Sequence, residues 1–308
     1  MVVVSVINYK GGVGKTTLTA NIGAELAWRG YSTLLIDLDP QASLTFSFVQ
    51  PDYWTRHLEA SGTIKSWFDA AQRGGSLSLA SLAMEPSRVR GYLRNRTSAR
   101  PLRLIPSHLG LINVDLELAT ELGGASVRQA KLNYMRVHRR LAEGLTDPGF
   151  SDYDVILIDC PPNFNVVTKT AIVASDHVLI PAKPDYLSTL GIDYLQRNLR
   201  QLVDDYNEYV GLDDEDDVCE IDPAILGVVF TMIQVYGGQP IRSQRQYIQQ
   251  VTQLGVPVFD HRIRENKTHY ATAPEEGAPV VLRGGSTHST FVQEFEGLVD
   301  EFCAELGI

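Results

Sequence analysis

The chain has 308 residues, 44% of them hydrophobic and 21% charged, which is the composition of a globular protein with one large α/β domain or two small ones. A net charge of −10 disfavours generic binding of nucleic acid, and no apolar run approaches the roughly 20 residues that a membrane-spanning helix needs. Cys160, Cys219 and Cys303 are far apart, which disfavours a disulfide framework and a cysteine-bound metal or iron–sulfur site. No signal peptide precedes the first strand, so a reducing cytoplasm is expected.

The first predicted element is a strand, Val2–Ile7, which leads through the glycine-rich stretch Asn8–Thr17 into a helical pattern. A strand, a glycine-rich turn and a helix in this order are typical of a phosphate-binding loop. The glycines let several backbone N–H groups approach phosphate oxygens, and the helix adds the positive end of its dipole. Lys15 is expected to contact the β- and γ-phosphates, and the Thr16 hydroxyl suits Mg²⁺. The residues of this loop expected to bind the nucleotide are Lys10, Gly11, Gly12, Val13, Gly14, Lys15, Thr16 and Thr17.

Two residues of this loop depart from the general phosphate-loop pattern. Tyr9 stands six residues before Lys15, where that pattern has glycine, and a second lysine, Lys10, precedes the glycine pair. The resulting sequence K-G-G-x-G-K-T-T resembles the deviant loop of the ParA/MinD class of ATPases. In that class the signature lysine, here Lys10, reaches across a dimer into the nucleotide of the partner chain.

Strands alternate with helices along the rest of the chain. The further predicted strands are Thr33–Pro40, Leu102–Ile105, Asp154–Asp159, His177–Pro181, Ala224–Thr231 and Val256–Phe259. The further predicted helices are Ile64–Ala71, Leu109–Leu122, Val127–Leu145, Asn163–Ala174, Ser188–Tyr209, Ile241–Leu254 and Thr287–Leu306. This alternation predicts an α/β fold of the P-loop NTPase type: one doubly wound, mostly parallel sheet with helices on both faces. The whole chain, 1–308, is expected to be a single domain with an acidic insertion near 206–222.

Carboxylates stand at the ends of two predicted strands, and ligands of such sheets bind at the carboxyl ends of the strands. Asp39 can orient and polarise the water that attacks the γ-phosphate, and Asp159 follows four apolar residues, the usual form of the carboxylate that holds Mg²⁺. Asp37 is either an outer partner of the metal or a structural carboxylate. The candidate catalytic residues are Lys10, Lys15 and Asp39. The candidate metal ligands are Thr16, Asp39 and Asp159.

Further segments resemble the ParA family over most of the chain. They are L-L-I-D-L-D-P-Q-A-S at Leu34–Ser43, L-I-P-S at Leu104–Ser107, Y-D-V-I-L-I-D-C-P-P at Tyr153–Pro162, Asp176–Pro181, Ile263–Asn266 and Ala273–Pro279. In the family the last two border the adenine, which makes Asn266, Pro274 and Glu275 expected base contacts. The chain departs from the family pattern over 50–100, in the acidic insertion, and at 233–236, where the family often has an aspartate and an arginine.

The resemblance implies an ATP-dependent switch ATPase that requires ATP and Mg²⁺ and forms a homodimer with ATP. Dimeric family members bind DNA without sequence preference, and a ParB-like or cargo-adaptor protein stimulates hydrolysis and releases them. Lys10 acting in trans would be an electrostatic device equivalent to an arginine finger. The implied function is partition or positioning of DNA or another cargo, by a cytoplasmic, nucleoid-associated protein that does not bind a membrane.

Basic residues are unevenly distributed. Segments 86–103 and 128–140 contain arginines and no acidic residue, whereas 213–217 is entirely acidic. The resemblance favours a later set as the DNA contact, because partition ATPases place these contacts largely in their C-terminal half. This set is Arg242, Arg245, Arg262, Arg264, Lys267 and Arg283. The alternative that these arginines only pair with the acidic insertion stays open.

Two other functions share part of this pattern. A MinD-like membrane positioner would need a basic amphipathic C-terminal tail, but 291–308 carries five acidic residues and no lysine or arginine. We interpret its apolar stripe as a core face; the stripe is Phe291, Phe295, Leu298, Val299, Phe302 and Leu306. A reductase subunit with an iron–sulfur cluster would need paired cysteines in loops, and the sequence contains no such pair.

Overall fold

A computed structural model describes residues 1–211, 218–266, 273–283 and 290–308. The strands in these ranges are β1 (Val2–Val6), β2 (Thr33–Asp37), β3 (Leu102–Ile105), β4 (Val155–Asp159), β5 (His177–Ala182), β6 (Ala224–Phe230), β7 (Val235–Tyr236) and β8 (Gln239–Pro240). The α-helices are α1 (Lys15–Arg29), α2 (Ser43–Phe48), α3 (Pro51–His57), α4 (Ile64–Gln72), α5 (Ser87–Leu93), α6 (Leu111–Glu121), α7 (Val127–His138), α8 (Arg140–Leu145), α9 (Val166–Val173), α10 (Tyr186–Val210), α11 (Arg242–Gln253), α12 (Ala273–Glu276) and α13 (Thr290–Leu306).

The first six strands form one parallel sheet in the order β3-β2-β4-β1-β5-β6. Helices between successive strands cover both faces of the sheet, which is the doubly wound arrangement predicted from the sequence. The fold class is therefore confirmed. A two-stranded antiparallel hairpin, β7-β8, follows the edge strand β6.

The register of the central strands determines where the site forms. Val6 at the end of β1 and Asp37 at the end of β2 both pair with Asp159 at the end of β4. The loops that leave these three strands therefore meet at one point of the carboxyl edge. This convergence places the glycine-rich loop beside the carboxylates that follow the other two strands.

Both faces of the sheet are buried, because alternate residues of each strand face opposite sides. Val4 and Leu157 belong to one apolar cluster, whereas Val3 and Ile156 belong to the other. This double burial explains the continuous apolar runs of the predicted strands. The apolar stripe of α13 packs into the first cluster, where Phe295, Leu298, Val299 and Phe302 are fully buried, so its assignment as a core face is confirmed.

Several predicted elements have different bounds in the structure. The helix predicted over Val127–Leu145 is two helices, α7 and α8, with Arg139 between them, and the connection 41–62 contains the short helices α2 and α3. The strand predicted over Val256–Phe259 is a single bridge between Val228 and Val258. Pro257 has no N–H to donate, so a longer ladder does not form there. The acidic run 213–217 and the start of the helix predicted from Thr287 lie outside the described residues.

Candidate nucleotide-binding site

The glycine-rich loop adopts the conformation expected of an anion-binding turn. Gly12 and Gly14 have φ angles of +68° and +87°, a left-handed region in which side chains other than glycine are strained. Gly14 is the N-cap of α1, which begins at Lys15. The first N–H groups of α1 and the positive end of its dipole therefore face the loop.

Two hydrogen-bonded clamps hold this loop against the neighbouring strands. Asn8 donates through Nδ2 to the Pro181 carbonyl at 2.7 Å and accepts from the Lys10 N–H at 2.9 Å. On the other side, the Thr231 hydroxyl donates to the Val13 carbonyl at 2.7 Å. The loop is thus fixed to the ends of β5 and β6 before any ligand binds, which lowers the entropic cost of binding. Sequence reasoning missed both clamps.

Lys15 lies inside the loop, with only 7% of its surface exposed. Its Nζ donates to the carbonyls of Asn8 and Lys10 at 3.3 and 3.4 Å, which are long bonds for an ammonium. Burial lowers the pKa of Lys15, and the carboxylates of Asp159 and Asp39 partly oppose that shift. A phosphate oxygen would be a stronger acceptor than these two carbonyls, so the ammonium is suited to that ligand.

Thr16 and Asp159 form the part of the site that fits a divalent cation. The Thr16 hydroxyl donates to Asp159 Oδ2 at 2.7 Å, while Asp159 Oδ1 is buried and has no hydrogen-bond partner among the described residues. Burial raises the pKa of Asp159 to about 7, although the bond from Thr16 opposes the shift. An unpartnered carboxylate oxygen beside a threonine hydroxyl is a hard oxygen donor set of the kind that Mg²⁺ uses together with phosphate oxygens.

Asp37 is fully buried and accepts three hydrogen bonds. The donors are the Thr45 N–H and hydroxyl, both at 2.7 Å, and the Asp39 N–H at 3.1 Å. Burial and the nearby charge of Asp159 raise its pKa well above the ordinary value. These bonds favour the structural one of its two predicted roles, because they fix the start of the loop that carries Asp39.

Asp39 is half-buried and lies in the loop after β2. Its Oδ1 accepts from the Gln41 N–H at 2.9 Å, and its carbonyl accepts from the Ser107 hydroxyl at 2.6 Å. The carboxylate is near enough to raise the pKa of both Lys15 and Asp159. Asp39 therefore lies beside the phosphate side of the site with a partly solvated carboxylate, as a group that orients water requires.

A cavity of ≈ 350 Å³ opens beside the loop, on the side of β6. Its walls are formed by Gly14, Thr17, Leu18, Lys183, Thr231, Met232, Ile263, Arg264, Glu265 and Asn266. It contains one of the three predicted base contacts, Asn266. Glu275 is exposed on α12, and its carbonyl accepts from Gln50 and Arg88, both at 3.4 Å. Pro274 lies in the same short helix.

A larger cavity, of ≈ 720 Å³, lies at the opposite edge of the sheet, between Ser32, Arg103 and Tyr153. Arginines and aspartates share its walls, and it contains no residue of the glycine-rich loop. The volume of a cavity therefore does not identify the nucleotide site in this protein. The smaller cavity has the chemistry of a nucleotide site because Gly14 and Thr17 belong to its wall.

Lys10 lies at the rim of the site and points away from its own loop. Its Nζ is 2.6 Å from Asp185 Oδ2, and the two side chains are 32% and 31% exposed. Asp185 is also the N-cap of α10, since Oδ1 accepts from the Ser188 N–H at 2.9 Å. Burial opposes ionisation of Asp185, but the bonds from Lys10 and Ser188 hold its pKa below the ordinary value.

Tyr9 occupies the position where most phosphate loops have glycine, and the structure gives it a packing role. Its ring contacts Phe164 and Tyr194, with centroid separations of 5.8 and 5.4 Å. Its hydroxyl accepts from Asn198 Nδ2 at 2.7 Å, and burial raises its pKa to about 12. Tyr9 therefore connects the glycine-rich loop to α10 and to the loop after β4.

The basic residues predicted to meet DNA differ in how far they are engaged. In the favoured set, Arg264 pairs with Glu294, and Arg283 pairs with Glu276 at 2.9 Å. Arg262 is half-buried, and Lys267 lies outside the described residues. By contrast, Arg242 and Arg245 are exposed on α11 and form no ion pair within the described ranges.

In the two other basic segments, six residues are engaged by neighbouring groups. Arg139 pairs with Glu143, Arg140 with Glu121 and Lys131 with Glu208. Arg88 donates to the Glu276 carbonyl, Arg90 lies 3.8 Å from Glu85, and the Arg96 guanidinium stacks over the Trp28 ring at 4.7 Å. These contacts leave fewer free guanidinium groups than the sequence indicates.

Comparison with known proteins agrees with this geometry. Residues 1–212 match a family described as "AAA domain". The chromosome-partitioning ATPase Soj of Treponema pallidum is 29% identical over 274 residues, 89% of this chain and 87% of that one. The sporulation initiation inhibitor protein Soj of Bacillus subtilis is 26% identical over 283 residues, 91% of this chain and 90% of that one. This chain belongs to the ParA-type family of partition ATPases.

Solved structures agree with the fold of this ParA-type chain. Apo McdA from Cyanothece has a TM-score of 0.70 and 21% identity, over 98% of this chain and 99% of that one, and a variant of McdA has been solved as an ATP complex. Cobyrinic acid a,c-diamide synthase from Mycobacterium smegmatis, solved with a bound ATP analogue and magnesium, has a TM-score of 0.61 and 25% identity, over 90% and 92% of the two chains. None of the described helices combines the length and the hydrophobicity that a bilayer-spanning helix requires.

Proposed function

We propose that this ParA-type chain is an ATP-dependent, dimerising switch that hydrolyses ATP and positions DNA or another cargo by binding DNA without sequence preference. The family assignment supports a positioning ATPase. The particular steps, which are nucleotide binding, dimerisation, hydrolysis and DNA contact, rest on the residues described above.

In this proposal the glycine-rich loop and Lys15 hold the phosphates, and Asn266 contacts the base within the ≈ 350 Å³ cavity. Pro274 and Glu275 are further proposed base contacts. Thr16, Asp39 and Asp159 would hold Mg²⁺. When bound, Mg²⁺ supplies positive charge against the β- and γ-phosphate oxygens. Asp39 orients the attacking water, because its carboxylate is partly solvated and lies on the phosphate side.

The observation that carries the dimer is the different placement of the two loop lysines. Lys15 is buried inside the loop, whereas Lys10 is at the rim, one-third exposed and paired across the surface with Asp185. A lysine in that position can exchange one carboxylate for the phosphates of a second chain with little rearrangement. Beside it, α10 exposes four large apolar side chains that a second chain would cover: Tyr186, Leu187, Leu190 and Tyr194.

The test of this proposal is the mass of the protein in solution with ATP and Mg²⁺, measured by light scattering. Lys10→Ala should bind ATP but remain a monomer, whereas the parent should form a dimer. Lys65→Ala is a matched control, because Lys65 and Asp69 in α4 form a pair of the same 2.6 Å length and similar exposure. An ATP-dependent dimer of Lys10→Ala equal to that of the parent would overturn the trans role of this lysine.

DNA binding is proposed for Arg242 and Arg245, which are exposed and carry no ion pair in the described part of the chain. Dimerisation would double this surface and raise its avidity. A ParB-like or cargo-adaptor protein is proposed to stimulate hydrolysis and release the dimer, and the proposed location is the nucleoid. The membrane-positioning alternative is not favoured, because the apolar face of α13 is buried in the core and its exposed face is acidic.

A further inference from the structure

The segment between Asp222 and Asp260 contains no aspartate or glutamate, although the chain as a whole has 37 acidic residues and a net charge of −10. Its surface-exposed part is the β7-β8 hairpin and the outer face of α11. The hairpin and α11 therefore carry no negative charge of their own that would repel a polyanion, although Glu265 lies at the base of the hairpin, where its Oε2 accepts from Gln234 Nε2 at 3.0 Å. Its exposed polar side chains are arginine, glutamine, serine, threonine and tyrosine, which are the types that contact phosphates and base edges.

The hairpin presents an aromatic side chain that the fold itself does not use. Tyr236 is 86% exposed and Val235 is 43% exposed. Gly237 and Gly238, between the two strands, have φ angles of +59° and +77°, as in the tight two-residue turns that match the twist of a β-ribbon. The ribbon is therefore narrow at its tip, with Tyr236 beside the turn.

Helix α11 adds a positively charged face next to the hairpin. Arg242 and Arg245 are three residues apart, so they lie on the same side of the helix, and both are exposed. Ile248 and Val251 are buried against the core and fix which face points outward. The rest of the outer face is neutral and polar; it consists of Ser243, Gln246, Gln249, Gln250, Thr252 and Gln253.

Gln244 joins the hairpin and α11 into one unit and ties that unit to the nucleotide cavity. Its side chain is 6% exposed. It accepts from the Gln234 N–H at 2.9 Å, just before the hairpin, and donates to the Met232 carbonyl at 3.1 Å. Met232 belongs to the cavity wall and has a φ of +54°, which is rare for a residue with a side chain. These bonds therefore connect the hairpin to the wall of the nucleotide cavity.

We infer that the β7-β8 hairpin enters the major groove of duplex DNA with Tyr236 at its tip, while Arg242 and Arg245 contact the phosphates at the edge of that groove. The major groove, about 12 Å wide, admits a two-stranded ribbon. The tyrosine contact is neutral and tolerates any base sequence, and the two guanidinium groups supply the charge. This inference rests on the proposed function, because it specifies how the proposed DNA binding is made.

The test measures the affinity for a duplex DNA oligonucleotide with ATP and Mg²⁺ at several salt concentrations. Tyr236→Ala should weaken binding about tenfold at every salt concentration and leave the salt slope unchanged, because the tyrosine side chain is neutral. The double variant Arg242→Gln, Arg245→Gln should reduce the slope of log K against log salt by about 0.9 for each phosphate that the protein no longer neutralises. Tyr53→Ala is the matched control, since Tyr53 is 48% exposed in α3 and its ring contacts only His57 among the aromatic contacts described.

Duplex RNA of the same length tests the groove. Its major groove is too deep and narrow for side chains to read, so Tyr236→Ala and the parent should bind RNA equally. A tenfold weaker affinity of the variant for RNA as well as for DNA would overturn the groove contact.

Three further results are decisive. If Tyr236→Ala binds DNA like the parent while the arginine variant is weaker, the hairpin contact is wrong and the proposed DNA binding stands. If Tyr236→Ala loses the ATP-dependent dimer in light scattering, the hairpin belongs to an interface between chains and the inference is wrong. If the parent binds no duplex in any nucleotide state, the DNA-binding part of the proposed function fails, and the inference fails with it.

Discussion

The carboxyl edge of the sheet has two regions with opposite properties. Around the glycine-rich loop, the polar groups are buried and hydrogen-bonded: Lys15, Asp37 and Asp159 are each less than 10% exposed. Beyond β6, the hairpin and α11 expose an aromatic residue and two arginines without ion pairs in the described structure. The region around the glycine-rich loop can accept only one arrangement of its ligand, because each buried charge needs its partner. The second region can change without destabilising the core, so it is where members of one fold can differ in what they bind.

The difference between the buried and the exposed region can be tested by substitutions. The largest expected effect is at Asp39, on the phosphate side of the nucleotide site. Asp39→Ala should still bind ATP and Mg²⁺, because Lys15, Thr16 and Asp159 remain, but its turnover should fall about 10²- to 10⁴-fold. The variant should accumulate as an ATP-bound dimer. Phosphate release and light scattering measure the two properties, with Asp52→Ala, at an exposed surface aspartate, as the control. Hydrolysis at the parent rate would show that Asp39 does not orient the water.

Lys15 is expected to give the second-largest effect. Lys15→Ala should weaken ATP binding about 100-fold, because the phosphates no longer receive a charge-assisted hydrogen bond from a buried ammonium. The fold should persist, since the ammonium makes only two long bonds to backbone carbonyls. Calorimetry measures the affinity and circular dichroism the fold. An unchanged ATP affinity in a folded variant would contradict the assignment of Lys15.

Parts of the nucleotide site differ in how well the sequence predicts them. Lys15, Thr16 and Asp159 follow strands at fixed spacings, and neighbouring parallel strands bring their ends together, so their meeting could be predicted. The clamps could not, because Asn8 and Thr231 act on backbone carbonyls of residues far away in sequence. Side-chain pairing between distant elements depends on the exact packing, which no local pattern encodes.

The elements that the sequence predicts less well have weak local signals. The β7-β8 hairpin escapes prediction, because strands of two residues leave no alternation to detect. The pair Lys10–Asp185 joins residues 175 positions apart, so only the position of α10 reveals it. The bounds of β2 and α10 differ from the predicted ones by a few residues at most, since β2 is a continuous apolar run and α10 has strong apolar periodicity.

Gln244 connects the two regions, and its replacement should have an intermediate effect. Gln244→Leu keeps the size of the side chain but leaves the Gln234 N–H and the Met232 carbonyl without their partner, at a cost of about 1–3 kcal/mol. DNA affinity should fall several-fold, whereas ATP affinity should stay within about twofold, because the phosphate clamps are intact. Gln201→Leu, at an exposed glutamine of α10, is the control. If both variants bound DNA equally well, the hydrogen bonds of Gln244 would not be what positions the hairpin for DNA binding.

The smallest expected effect lies outside both regions, at His138 in α7. Its Nδ1 lies 2.7 Å from the Tyr134 carbonyl, and burial lowers its pKa to about 4. The unfolded chain therefore binds a proton below about pH 6.5 that the folded protein does not take up until near pH 4, and the free energy of unfolding falls as the pH drops through this window. At pH 5.5 the loss should be about 1 kcal/mol relative to neutral pH.

Urea unfolding of His138→Phe at pH 7 and pH 5.5 measures this effect. The variant should lose that part of the pH dependence, while His57→Phe, at an exposed histidine, should retain it. The same pH dependence in the parent and in His138→Phe would mean that other groups are responsible.

The central position of β1 has a consequence for the order in which the protein can be made. Val2 pairs with Val155 and Val4 with His177, and the loop after β1 is completed only when Thr231 reaches the Val13 carbonyl. Ribosomes add about 5–20 residues per second, so the loop waits roughly 10–40 s after its own synthesis for that last contact. For most of this interval, until residues 155–182 have been made, the apolar strand β1 is without its neighbours β4 and β5, and its native pairing is long-range and slow. Nucleotide binding is therefore among the last properties that the growing chain acquires.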